Sequence, residues 1–260
     1  MTISFGIDIG GSGIKGAPVD LQKGKFAAKR LRIPTPQPST PQACGEVIAS
    51  IVDYFADAVP AKSPVGITIP GPVQHGTVPF MANLSQEWVG FPADEYLKER
   101  LGRPVSLFND ADAAGLAEVK YGAAKDHPGL VIVTTLGTGI GTAMIYNGVL
   151  IPNSELGHLE IDGYDAEKRA ASSIKENEGL SYPQWAERLQ RYYSHVEMLL
   201  SPDLFVVGGG VSKDWEEFGP LLTLRTPIVP AALQNKAGII GAAIAAEEAV
   251  EHPDALAKKR

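Results

Sequence analysis

The sequence predicts an α/β protein built from two related domains, and three observations predict it. A short phrase occurs twice, Gly11-Ser12-Gly13-Ile14 and Gly137-Thr138-Gly139-Ile140, about half a chain apart in 260 residues. Apolar runs lead into and out of each copy: Phe5-Gly6-Ile7-Asp8-Ile9-Gly10 and Ala17-Pro18-Val19, then Leu130-Val131-Ile132-Val133-Thr134-Thr135-Leu136 and Ala143-Met144-Ile145-Tyr146. Each copy therefore reads as strand, tight glycine turn, strand. Behind each hairpin, segments with helical apolar spacing alternate with further strand-like runs, the order expected of a sheet with helices packed on it.

The first hairpin returns through residues 26–33, and Pro34, Pro36, Pro38 and Pro41 make a stiff connector. Ala43, Val47, Ile48, Ile51, Val52, Phe55 and Ala56 then recur on one helical stripe, closed by Pro60 and Pro64. Val65-Gly66-Ile67-Thr68-Ile69 resumes as a strand ending at Pro70-Gly71-Pro72. A helix over 93–101 precedes the strand Val105-Ser106-Leu107-Phe108, which stops at Asn109-Asp110-Ala111-Asp112, and the alanine-rich stretch 113–121 is helical. The second half repeats the order: hairpin, a loop-rich stretch over 152–181, a long helix over 182–200, and the strand Leu204-Phe205-Val206-Val207. That strand ends in a third glycine turn, Gly208-Gly209-Gly210, followed by a helix over 214–222, a short strand at Pro227-Ile228-Val229 and a closing helix. The expected lobes are 1–108 and 109–237, with the closing helix, 238–252, packed back on the first lobe.

Bulk composition narrows the class. Hydrophobic residues at 44% and charged residues at 20% are ordinary for a soluble globular chain, and a net charge of −7 advertises neither nucleic acid nor an anionic membrane. A polyanion needs a local basic patch here. The single cysteine, Cys44, excludes an intramolecular disulfide and a cysteine cluster for zinc. Met1-Thr2-Ile3-Ser4 runs into the first strand without a charged-then-apolar leader, and no apolar stretch of about 18 residues occurs, so a cytoplasmic location is expected.

Chemistry concentrates at the turns and strand ends. Glycines free the backbone for positive φ, letting N–H groups converge on an anion while the hydroxyl of Ser12 or Thr138 adds a donor. A plain hairpin is the competing reading of each copy, and the repetition weighs against it. Gly11-x-Gly13-x-x-Gly16 formally matches a dinucleotide fingerprint, but that motif must open a helix, and Gly16, Pro18 and Lys23-Gly24-Lys25 interrupt one. Asn109-Asp110 puts an amide and a carboxylate at a strand end; Asp110 is the candidate to accept a proton from a sugar hydroxyl attacking a phosphoryl group, and either residue can instead cap the next helix. Glu155-Leu156-Gly157-His158, in a loop that also carries Glu160 and Asp162, suits the hydroxyls of a small polyol better than half a metal site, because H-E-x-x-H spacing is absent. Asp8 is placed to hold Mg²⁺, and Lys15 to neutralise phosphate charge; each can also be an ordinary strand residue. Lys168, Arg169, Lys175 and the tail Lys258-Lys259-Arg260 read as solvated surface charge.

Together, Asp8-Ile9-Gly10-Gly11-Ser12-Gly13-Ile14-Lys15, Pro70-Gly71-Pro72, Asn109-Asp110-Ala111, Leu136-Gly137-Thr138-Gly139-Ile140-Gly141, Glu155-Leu156-Gly157-His158 and Gly208-Gly209-Gly210-Val211 resemble the ROK family of sugar kinases, in order over most of the chain. The resemblance implies duplicated ribonuclease-H-like lobes of the actin-like ATPase kind around an interdomain cleft, and a homodimer. It implies Asp110 as general base; Gly71, Asn83, Asn109, Glu155 and His158 as sugar contacts; and Gly10, Gly11, Ser12, Gly13, Gly137, Thr138, Gly139, Gly209 and Gly210 as phosphate-binding. Most members carry a zinc-binding cysteine cluster after the Glu-x-Gly-His motif, followed by another sugar-binding glutamate. Here that region, Leu159-Glu160-Ile161-Asp162-Gly163-Tyr164-Asp165-Ala166-Glu167, has no cysteine, so no zinc is expected. Glu160 and Glu167 are the two stand-ins for the glutamate, and Glu160 joins the expected sugar set. Zinc-less, compact members use inorganic polyphosphate, and in some cases ATP, to make glucose 6-phosphate. That is the activity the resemblance implies, with an ATP-dependent kinase for fructose or N-acetylmannosamine as the alternative. The sugar-responsive repressors of the family need an amino-terminal helix-turn-helix, and the phosphate turn begins too early to leave room for one; a non-catalytic sugar sensor is the remaining rival.

Overall fold

The computed structural model describes residues 2–251, so the basic tail and residue 252 of the expected closing helix lie outside the described residues. The elements are β1 (Ile3–Gly10), β2 (Gly13–Asp20), β3 (Lys25–Phe26), β4 (Leu31–Ile33), α1 (Pro41–Tyr54), β5 (Val65–Ile69), α2 (Ala93–Leu101), β6 (Val105–Asn109) and α3 (Asp110–Tyr121). They continue with β7 (Leu130–Leu136), β8 (Ile140–Tyr146), β9 (Val149–Ile151), β10 (Glu160–Ile161), β11 (Tyr164–Asp165), α4 (Glu167–Ala170), α5 (Ser172–Asn177), α6 (Tyr182–Leu200), β12 (Leu204–Gly208), α7 (Trp215–Phe218), β13 (Ile228–Pro230) and α8 (Ala237–Glu251).

The duplication is real at the level of topology. One sheet runs β3-β2-β1-β5-β6 with β4 also on β2; the other runs β13-β12-β7-β8-β9. In each, an antiparallel hairpin (β1 with β2, β7 with β8) continues on one side into two parallel strands (β5 and β6, β12 and β13). The first parallel strand of each pair lies beside the strand that leads into the glycine turn, so the turn and the end of that parallel strand share one edge.

The chain divides into two compact units, one comprising the residues through Ala117 and those from Lys236 on, the other Glu118–Asn235. The division falls within α3 rather than after Phe108, because the first turns of α3 pack on α8. A Cβ on Gly241 would strike the backbone oxygen of Ala113. The two helices therefore touch main chain to main chain, which only a residue without a side chain permits. α8 packs as closely on the sheet: a Cβ on Gly66 of β5 would collide with the backbone of Ala242. Its central residues, Ile239, Ile240, Ala242, Ala243 and Ile244, are buried accordingly.

Three expected elements differ. The return strand over 26–33 is split into β3 and β4, both pairing with β2. The loop-rich stretch 152–181 holds the β10–β11 hairpin and the short helices α4 and α5. The helix over 214–222 is broken, with α7 giving way to a 3-10 turn at Gly219–Leu221. Pro220 supplies no N–H to continue an α-helix, and Gly219 lies against the Trp215 ring, where no side chain would fit.

Candidate active site

In the first unit, the two-residue turn between β1 and β2 closes on the pair Gly10 and Gly13, which puts Asp8 directly across from Lys15. Lys15 Nζ is 3.1 Å from Asp8 Oδ2, and the Thr68 hydroxyl donates to Asp8 Oδ1 at 3.1 Å. Both side chains keep partial exposure, 29% for Lys15 and 24% for Asp8. Arg32 on β4 donates from Nη2 to the Ser12 carbonyl at 2.8 Å, and its guanidinium lies where a Cβ on Gly13 would stand. The Thr35 hydroxyl donates to the Gly10 carbonyl. Asn83 is exposed, and its carbonyl oxygen would lie 3.4 Å from a Cβ on Gly11, so its segment borders the turn. Gly71, half-buried, follows β5 after Pro70.

The β6–α3 junction resolves which of Asn109 and Asp110 caps the helix. Asn109 is 5% exposed, and its Oδ1 accepts from Ala111 N at 2.8 Å and Asp112 N at 3.1 Å, the pattern of an N-cap. Asp110 is the first helical residue; its Oδ1 accepts from Ala111 N at 2.8 Å. A carboxylate there is favoured by the helix dipole.

In the second unit, Ser173 of α5 organises the turn between β7 and β8. Its N–H donates to the Gly137 carbonyl at 3.0 Å, and its hydroxyl to the Thr138 carbonyl at 2.7 Å. A trans peptide points its N–H opposite to its C=O. The N–H groups of Thr138 and Gly139 are therefore both directed away from α5, a pair of donors facing one way. The Gly208–Gly210 turn adjoins this one, because Gly208 pairs with Thr135 in register and a Cβ on Gly209 would meet the main chain of Leu136.

Positive φ is not what most of these glycines supply. Gly209 has a φ of 87°, but Gly10, Gly11, Gly13, Gly137 and Gly139 are not among the positive-φ residues. Two of them are close to side-chain ends: the Arg32 guanidinium stands 2.6 Å from the Cβ position of Gly13, and the Glu167 carboxylate closer still to that of Gly139.

The Glu155–His158 motif abuts the same turn. It forms a 3-10 turn at Leu156–His158, and a Cβ on Gly157 would strike the Ile140 carbonyl. The Thr142 hydroxyl accepts from Leu156 N at 3.1 Å and donates to the Ser154 carbonyl at 2.7 Å, stitching the motif to β8. His158 Nδ1 lies 3.0 Å from Asp165 Oδ2 and 3.9 Å from Glu167 Oε1. Glu167 Oε2 in turn accepts from Ile140 N at 3.1 Å. Glu167 thus joins the motif to the glycine turn, whereas Glu160 projects from β10 to solvent, on the opposite face from buried Ile161. Of the two stand-ins, the structure brings Glu167 to His158.

Burial raises the Glu155 carboxyl above its usual range, as does Glu167 nearby, with His158 opposing. For His158, burial pulls the imidazole down, but the Asp165 hydrogen bond and the charges of Glu167, Asp165 and Glu155 outweigh it, and its pKa is raised. One ligand atom from each of His158, Asp165 and Glu167 lies within 4.8 Å of the others, a donor set that would also suit a small divalent ion. Arg32, Thr68, Asp165 and Ser173 escaped sequence reasoning. Each acts on a partner distant in sequence or, for Asp165, across a hairpin whose turn is written only as Asp162-Gly163.

The ROK family model matches residues 4–178. A polyphosphate glucokinase of Mycobacterium tuberculosis is 51% identical over 249 residues, which span 95% of this chain and 92% of that protein. The crystal structure of an inorganic polyphosphate/ATP-glucomannokinase from Arthrobacter sp. strain KM superposes with a TM-score of 0.92 at 55% identity, covering 97% of this chain and all 100% of that one. A ROK family glucokinase from Streptomyces griseus, solved with glucose and AMPPNP, shares the fold at a TM-score of 0.78 and 24% identity, over 95% of this chain and 99% of its own.

Proposed function

This chain belongs to the ROK family, and from that premise we propose that it is a phosphotransferase making glucose 6-phosphate from glucose, with inorganic polyphosphate or ATP as donor. Its fold is the duplicated α/β architecture of actin-like ATPases. The observation that carries the reading is the division of labour at the β6–α3 junction: Asn109 caps the helix, which supports assigning the role of base to Asp110. Its carboxylate takes the proton of the 6-hydroxyl as that oxygen attacks the terminal phosphorus, and the bond from phosphorus to the bridging oxygen of the donor breaks. Little covalent work remains for the protein beyond positioning and charge neutralisation.

Glu155, His158 and Glu167 accept from sugar hydroxyls, with Asn109, Asn83 and the Gly71 backbone completing the sugar contacts. The outward N–H groups of Thr138 and Gly139 hold donor phosphate oxygens, and Gly209 and Gly210 border the same space. Lys15 and the Gly10–Gly13 turn neutralise and bind donor oxygens in the first unit. Mg²⁺ is the ion such a donor brings: Asp8 is a partly exposed carboxylate already oriented by Thr68, which fits an ion held through one carboxylate and several waters. When bound, the ion offsets charge on the donor phosphates. Among the described residues no helix is long and apolar enough to cross a membrane; we place the enzyme in the cytoplasm as a homodimer, feeding glycolysis.

The test is formation of glucose 6-phosphate with Mg²⁺ and either nucleotide-free polyphosphate or ATP as sole donor. Turnover with polyphosphate is expected; failure with both donors overturns the reading. The Arthrobacter relative is a glucomannokinase, so mannose is the second acceptor to try.

A further inference from the structure

We infer that Asp165 is a positioning residue for the sugar acceptor: it holds the His158 ring with its proton on Nδ1, leaving Nε2 as an acceptor for a sugar hydroxyl. The inference rests on the reading that His158 touches the sugar.

A carboxylate can only accept, so the 3.0 Å contact between Asp165 Oδ2 and His158 Nδ1 requires the proton on Nδ1. The other oxygen is committed as well: Asp165 Oδ1 accepts from Glu167 N at 3.2 Å. Both oxygens are thus used, one on a side chain and one on a main-chain donor that cannot turn. The carboxylate is delivered by the short β10–β11 hairpin, whose turn residues Asp162 and Gly163 both have positive φ. The hairpin is fixed at both ends. At its tip, Asp162 takes a two-pronged grip from Arg191 of α6, at 2.9 and 2.7 Å; at its base, Ala166 N donates to the Leu159 carbonyl at 2.9 Å.

The arrangement makes an unusual demand of Asp165→Asn. With Oδ1 still accepting from Glu167 N, the new amide presents NH₂ to His158 Nδ1. That forces the imidazole proton to Nε2 and turns the sugar-facing nitrogen from acceptor to donor. The near-isosteric variant is therefore expected to be as damaging as Asp165→Ala. A residue that merely supports the hairpin predicts the reverse order.

The experiment measures KM for glucose, ATP and polyphosphate in Asp165→Asn, Asp165→Ala and His158→Ala, together with nitrogen-15 NMR of the imidazoles at a pH where they are neutral. Both Asp165 variants are expected to raise KM for glucose about tenfold or more, the usual effect of losing an orienting partner, and to leave KM for both donors within about twofold. The NMR of the wild type is expected to show His158 as the Nδ1–H tautomer and of Asp165→Asn as the Nε2–H tautomer. A normal glucose KM in Asp165→Asn, an unchanged tautomer, or a stoichiometric transition metal in the purified protein that takes over Nδ1 overturns the inference. If His158→Ala itself leaves KM for glucose unchanged, the sugar-binding reading of His158 falls instead.

Discussion

Asp110→Asn separates two duties that a residue at a helix start can perform. Asn109 already supplies the cap, accepting from Ala111 N and Asp112 N through Oδ1. Asparagine at position 110 keeps an oxygen for Ala111 N. What it loses structurally is charge at the helix N-terminus, worth at most about 1 kcal/mol at a partly exposed site. What it loses chemically is the ability to accept a proton, worth about 10²-fold or more in rate, or roughly 2.7 kcal/mol in the barrier. Asn109→Ala should show the opposite balance for stability: a lost cap costs about 1–2 kcal/mol, and the junction loosens. Urea unfolding and a coupled assay of glucose 6-phosphate, run on both variants, read the two quantities independently. If Asp110→Asn turns over near the wild-type rate, Asp110 is not the base. If it instead loses several kcal/mol of stability, the cap assignment at this junction is wrong.

Glu118 is fully buried, and its carboxylate accepts from Ala123 N, Ala232 N and Leu233 N at 2.8, 3.0 and 2.7 Å. Glu118→Ala orphans three main-chain donors and should cost about 3 kcal/mol or more of unfolding free energy; an unchanged urea midpoint would show that water replaces the carboxylate. The pH dependence follows from the two raised pKa values in the Glu155–His158 motif. Glucose affinity should rise with pH in two steps, first above the usual carboxylate range as Glu155 ionises, then above the usual imidazole range as His158 becomes neutral. Glu155→Gln should remove only the lower step. The stability effect has the opposite sense: each group holds its proton more tightly when folded, so its contribution is full below the unfolded pKa and is lost as pH rises through the folded one. A glucose KM flat from acid to neutral pH would exclude both groups from the sugar contact.

The hairpins, the parallel strands behind them and the long helix α6 were legible because apolar periodicity and glycine turns are local signals. The facing of Asp8 and Lys15 was legible in principle as well, since a two-residue turn at Gly11-Ser12 fixes that register. The cap at Asn109 followed from residue type and position at a strand end, although only coordinates could divide the work between Asn109 and Asp110. The partners that finish the site carry no such signal. Ser173 grips carbonyls of a turn formed more than thirty residues earlier, and Glu167 reaches Ile140 N across an intervening strand and hairpin. The choice between Glu160 and Glu167 turned on which way a two-residue strand faces, which depends on Ile161 being buried beneath it. A helix over 214–222 failed for a local reason, the Gly219-Pro220 pair.

Nearly identical phrases nonetheless fold into turns of different length, and the difference has a chemical consequence. Gly10 pairs with Gly13 in the first turn, but Leu136 pairs with Ile140 in the second, which opens the loop by one residue. The partners account for it. In the first copy a cation, Arg32, packs on Gly13 and takes the Ser12 carbonyl. In the second a carboxylate, Glu167, takes the Ile140 N–H, while Ser173 takes the carbonyls of Gly137 and Thr138. Occupying carbonyls turns the following N–H groups outward, so the second turn presents the N–H groups of Thr138 and Gly139 on one side, while the first has the cationic side chains of Arg32 and Lys15 beside it. The same Glu167 that takes the Ile140 N–H stands 3.9 Å from His158, so one side chain braces the Glu155–His158 motif against the second glycine turn.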